Sequence, residues 1–155
     1  MEQIMSETPA TPVSALPSVE AQLSPSEERT WAMLAHLSIL INLVTGMLGP
    51  IVALIIYLVY KNRSRYVAYQ AMQSFLIQLV GWVLSGFIIA VLWIITVVLM
   101  TVLVGFCLVP FAALLSLLPM ATVVYACVAA YECSQGRDFS YWLIGDWVRG
   151  TYTGS

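Results

Sequence analysis

Few side chains in this 155-residue chain could do chemistry, and the most conspicuous are amides and one imidazole. Gln70, Gln73 and Gln78 stand at the mouth of a long apolar run, "YVAYQAMQSFLIQLVGW", and His36 lies deep in an earlier one. An ionisable group inside an apolar span is a functional candidate by default. A proton relay needs a second member, however, and no Asp, Glu, Lys, Arg or His occurs from Tyr66 through Tyr131. The expectation for His36 is a neutral, hydrogen-bonded structural residue. Its functional rival is a cofactor ligand, such as a nitrogen donor to a pigment metal.

On a helix starting near Tyr66, the residues Gln70, Ser74 and Gly81 gather towards one side, with Gln78 and Ser85 at neighbouring angles and Gln73 one step away. Small and polar residues on one stripe allow close backbone approach and interhelical hydrogen bonds in lipid, each worth about 0.6–2 kcal/mol. Gln70, Gln73, Ser74, Gln78, Gly81 and Ser85 are therefore expected at a helix-packing or partner contact. The alternative is that they line a polar path. A later helix offers a matching surface in Thr122, Ala126, Ala130 and Cys133, while Ser38, Asn42 and Thr45 form a separate polar edge.

Nothing in the pattern resembles a catalytic set. There is no HExxH, no glycine-rich phosphate loop and no nucleophile with a base beside it. Cys107, Cys127 and Cys133 form no CxxC pair and read as thiols within or near apolar segments. The expectation is a protein without enzymatic activity, cofactor or metal. A net charge of −2 without a basic patch argues against nucleic acid as a partner.

The elements that must hold these residues are membrane helices. The chain is 61% hydrophobic and only 9% charged, against about 25% charged in an ordinary soluble domain. Residues 1–23, with Pro9, Pro12 and Pro17 and no base, predict a flexible acidic tail. Ser24, Pro25 and Glu27 then predict a helix start with a capping box, and Trp31 an interface anchor. "TGMLGP", Thr45 to Pro50, is expected to separate two short helices over about 24–45 and 50–60, the alternative being one helix kinked there. "KNRSR", Lys61 to Arg65, belongs in the cytoplasm by the positive-inside rule.

A third helix is expected from about Tyr66, with a break near Gly105–Pro110, and a fourth from about Pro110 to Cys133 with a kink at Pro119. The result is an all-α polytopic transmembrane bundle of about four helices over residues 24–134. Residues 135–155, with Phe139, Tyr141, Trp142 and Trp147, would lie on the membrane as an interfacial segment. Both termini fall on the cytoplasmic side, and Glu132 is expected to pair there with Arg63 or Arg65.

The residues in hand also resemble a known family. These are small bacterial membrane proteins of unknown function, related to the four-helix import-channel subunit of the chloroplast inner-envelope translocon. The resemblance rests on "EERTWAMLAHLSIL", on Gly49–Pro50, on the basic loop Lys61 to Arg65 and on "YVAYQAMQ", in which Gln73 matches the family glutamine. Gly136, Phe139 and Tyr141 resemble its closing glycine-then-aromatic motif, and the likeness covers about residues 26–142. It implies a four-helix domain in the bacterial cytoplasmic membrane. The role expected is an accessory or scaffolding subunit of a larger membrane complex, with lipids and other membrane subunits as partners and a homo-oligomer left open. The alternatives are a pore or protein-translocation component and a lipid- or pigment-associated protein.

Overall fold

A computed structural model describes residues 23–153, and the described residues form helices and turns without a strand. The tail expected over residues 1–23 lies outside them except for Leu23, which packs against the cluster of Ala35, Ile56, Val67 and Ala71.

Helix α1, Pro25–Leu37, opens with the capping box. Ser24 N donates to Glu27 Oε2 at 2.8 Å, and Glu27 N donates back to Ser24 Oγ at 3.3 Å. The chain passes through Ser38 into α2, Ile39–Thr45, which Gly46 ends in the left-handed region at φ 82°. Helix α3, Gly49–Tyr60, follows with Pro50 in its first turn, where the missing N–H costs nothing.

Ser64 caps α4, Arg65–Gln78, and the helix runs on through a π-helical turn, Leu79–Leu84, into α5, Ser85–Met100. The unbroken stretch is 36 residues long. The chain reverses over residues 101–104, with Leu103 at φ 66°. Helices α6, Gly105–Leu115, and α7, Leu118–Ser134, bring it back, and α8 spans Gly145–Thr153.

The reversal precedes Gly105 rather than falling between Gly105 and Pro110, and the returning helix starts at Gly105. Gly105 sits against the Thr96 carbonyl and the Met100 nitrogen, where a Cβ would have no room. Close packing of α6 on α5 thus sets the position of the turn. Pro110 stays inside α6 and leaves one carbonyl without its helical donor. The later irregularity falls at Ser116–Leu117, just before the residue preceding Pro119.

Two helices are long and apolar enough to cross a bilayer, Arg65–Met100 and Gly105–Ser134. Their outward residues include Phe87, Ile94, Phe106 and Leu114, all more than half exposed. Helices α1 and α2, with 13 and 7 residues, and α3 with 12, lie beside them as shorter arms. Helix α4 packs mainly on α3 and α1. Helix α7 packs mainly on α1 rather than on α4, so the small residues Ala126, Ala129, Ala130 and Cys133 are buried chiefly in that contact.

Candidate functional site

The polar residues converge at the centre of the bundle. His36 and Gln70 are both wholly buried, and His36 Nε2 lies 3.1 Å from Gln70 Oε1. The Gln70 amide nitrogen donates to Asp138 Oδ1 at 2.9 Å and to the Phe139 carbonyl at 3.0 Å, so its oxygen must be the acceptor facing His36. That assigns the proton of His36 to Nε2. Nδ1 is then an acceptor, and Tyr141 Oη donates to it at 3.1 Å. Burial pushes the Tyr141 phenol well above its ordinary range, so it stays protonated and able to donate.

Gln73 fixes the same segment by its backbone. Its amide nitrogen donates to the Phe139 carbonyl at 3.1 Å, and its oxygen accepts from Tyr141 N at 2.9 Å. Phe139 and Tyr141 meet edge to face at 5.0 Å between ring centroids, and Tyr125 stands against both. Residues 138–141 thus return from the end of α7 to plug the bundle between α1, α4 and α7.

A second knot lies deeper. Ser74 Oγ donates to the Ala35 carbonyl at 2.6 Å, and Gln78 Nε2 donates to Ser38 Oγ and Ser74 Oγ, each at 2.9 Å. Asn42 Nδ2 reaches Gln78 Oε1 at 3.5 Å, and Asn42 Oδ1 accepts from Gly49 N at 2.7 Å. Ser38 and Asn42 therefore belong to the glutamine stripe, not to a separate edge. Gly49 is required here, because a Cβ would collide with Gln78 Oε1 and stand 2.7 Å from Asn42 Oδ1.

At the outer rim Tyr69 Oη donates to Ser140 Oγ and lies 3.3 Å from Arg149 Nη2. The Arg149 guanidinium stacks over the Tyr69 ring at 5.3 Å and pairs with Asp138 at 2.9 Å. Val148 on α8 is buried, whereas Trp142, Leu143 and Trp147 face outwards. The C-terminal segment is thus half plug and half surface.

The stripe is not brought together as a whole. Gly81 meets α7, where Thr122 Oγ1 donates to its carbonyl at 3.3 Å. Ser85 bonds back to the Gly81 carbonyl of its own helix at 2.6 Å and, among the described residues, makes no hydrogen bond to another helix. Glu132 takes Arg137 at 3.0 Å instead of the expected Arg63 or Arg65. Arg137 N donates to the Glu132 carbonyl after Gly136 turns the chain at φ 75°, so the local cap supplies the cation. Both ring nitrogens of His36 face protein partners, which leaves neither for a pigment metal. Among the described residues no group of three His, Cys, Asp or Glu could hold a metal ion.

Asp138, Phe139 and Tyr141 as partners of the glutamines escape sequence reasoning. The aromatic cluster after Gly136 is visible, but nothing local says that it folds inwards.

The model of the magnetosome magnetite crystal formation protein family matches residues 27–148, and the chain belongs to this family. No curated protein and no solved structure matches it, and no link to the plastid import-channel subunit emerges. The matched span contains every residue of the polar network, from His36 to Tyr141, and reaches Val148. The chain is thus a membrane-associated member of a family that is not a known enzyme family.

Proposed function

We propose that this chain is a non-catalytic, multi-pass integral membrane subunit that scaffolds a larger assembly, and that the assembly serves magnetite crystal formation in magnetosomes, the process its family is described by. The observation that supports this reading most is the closure of the interior. His36, Gln70, Gln73, Ser74, Gln78 and Asn42 all find partners within the chain itself. Side chains engaged in this way position helices and turn over no substrate. The outer faces of α5 and α6, with Phe87, Ile94, Phe106 and Phe111 exposed, are apolar surface for lipid and neighbouring spans.

The carboxylates favour support from within the membrane over templating of mineral. All eight lie before Thr30 or after Tyr131. With Lys61 to Arg65 cytoplasmic by the positive-inside rule, both termini are cytoplasmic, and the turn after α5 presents no carboxylate to hold iron. The host membrane is the bacterial inner membrane or one derived from it.

A second reading is a pore or translocation component. It is favoured by the non-helical plug, Phe139 to Tyr141, whose withdrawal would leave a cleft lined by Gln70, Gln73 and His36. Purification from native membranes in mild detergent, with sizing and mass spectrometry, tests the first reading. A stoichiometric set of partners is expected. A chain that migrates alone or as a homo-oligomer contradicts it, and conductance after reconstitution would then support the second.

A further inference from the structure

The turn between α2 and α3 combines two properties that rarely meet in water. Its side chains are apolar and outward, with Val44 90%, Met47 59% and Leu48 48% exposed. Much of its backbone, by contrast, is bonded from within. Gly46 N donates to the Asn42 carbonyl at 2.8 Å and Leu48 N to Thr45 Oγ1 at 3.3 Å. Gly49 N donates to Asn42 Oδ1 at 2.7 Å, and Pro50 has no N–H to satisfy. The Gly46 carbonyl accepts from Trp82 Nε1 at 2.6 Å. Internal satisfaction of backbone groups beneath exposed apolar side chains is what hydrocarbon demands of a chain inside it.

The same Trp82 bond measures depth. On α4, Tyr69 and Gln70 contact the charged Arg149 and Asp138, which marks the headgroup level. At roughly 1.5 Å per residue, Trp82 lies about 18 Å and Met100 about 45 Å along the helix from Gln70. A bilayer with its headgroups is about 40–45 Å thick, so the long helix spans it and the Gly46 turn stops near its middle. Helix α3, with 12 residues, reaches only about 18 Å and cannot do more.

We propose that the α1–α3 hairpin is re-entrant, entering and leaving through one leaflet with residues 45–49 among acyl chains, so that the protein is a wedge suited to a bilayer convex on the side of its termini. In the leaflet near the termini the cross-section holds α1 with α2, α3, α4, α7 and the plug. Beyond the turn it holds only the α5–α6 pair, whose tight packing Gly105 and the Trp93 Nε1–Ser116 Oγ bond at 3.0 Å maintain. Each helix is about 10–12 Å across, so the two leaflets are displaced unequally. The occupant of the turn surface is lipid, since the exposed side chains of Val44, Met47 and Leu48 are apolar.

The full chain, reconstituted into phosphatidylcholine–phosphatidylglycerol vesicles, tests both parts. A nitroxide on Met47→Cys, with Cys107, Cys127 and Cys133 replaced, should collide with dissolved oxygen and be shielded from a water-soluble nickel chelate on either side. Collision with the chelate from the far side would overturn the re-entrant hairpin. Should the cysteine-free chain not fold, quenching of the unaltered chain by lipids brominated at the acyl terminus replaces that probe. The component lost in Trp82→Phe should be quenched strongly, and its insensitivity would overturn the assignment. Labelled chain with its termini outward should reach several-fold higher density on small vesicles than on large ones of the same lipid. Equal density would overturn the wedge even with the turn deep in the bilayer.

Discussion

His36 and Tyr141, far apart in sequence, share a 3.1 Å hydrogen bond in the buried centre of the bundle, with Gln70 on the other ring nitrogen of the imidazole. This pairing ties the first helix to the C-terminal segment. Replacing His36 with Leu strands Gln70 Oε1 and the Tyr141 hydroxyl in a dry site. The cost of an unsatisfied buried polar group is about 1–3 kcal/mol. Denaturant titration in mild detergent should show a loss of that order for His36→Leu, and 15N spectra of the unaltered protein should show the Nε2–H tautomer.

Gln73 holds the plug by its backbone, through the Phe139 carbonyl and Tyr141 N. Gln73→Leu keeps the helix and removes both bonds. The Arg137 carbonyl, which accepts from Tyr66 Oη at 3.0 Å, sits at the entrance of the same segment. Trypsin should therefore cut after Arg137 several-fold faster in Gln73→Leu than in the unaltered chain. Equal rates would mean that the glutamine does not retain the plug.

Two glycines should respond in opposite directions to alanine. Gly49→Ala forces a Cβ against Gln78 and Asn42, an overpacking that costs about 1–3 kcal/mol. Gly86 has open space around its missing Cβ, so Gly86→Ala should be neutral or stabilising by up to about 1 kcal/mol through helix propensity. Thermal unfolding of the two variants in one detergent compares them directly.

The helix start has a pH signature. Hydrogen bonds from the Ser24 backbone and hydroxyl hold the Glu27 carboxyl below its usual range. A depressed carboxyl contributes its stabilisation above the ordinary carboxylate pKa and loses it as pH falls through the lowered one. Ser24→Ala should move the Glu27 midpoint upwards in an NMR titration and leave fraying of α1 less dependent on acid.

Much of this was readable from local chemistry. Ser24, Pro25 and Glu27 announce α1, and Gly46, Gly49 and Pro50 announce the α2–α3 turn, because caps and φ restrictions act within a few residues. The inward stripe of Gln70, Ser74 and Gln78 follows from helical period. What the stripe meets does not, since Phe139 and Tyr141 arrive from a distant loop by tertiary packing. The reversal at residues 101–104 was equally hidden. It contains neither Gly nor Pro, and the contact of Gly105 with the Thr96 carbonyl decides it. Membrane depth matches Glu132 to the basic loop, whereas a five-residue turn brings Arg137 to it first.

The central claim is that the polar interior is closed. Ser74→Cys is the most direct probe, because Ser74 is wholly buried between Ala35 and Gln78 and the change is a single atom. With the three native cysteines replaced and the protein in vesicles, a water-soluble maleimide added to either side should leave this thiol unlabelled until detergent and denaturant are added. Rapid labelling from one side in the intact membrane would mean that water reaches the stripe, and the packed seam would give way to a path.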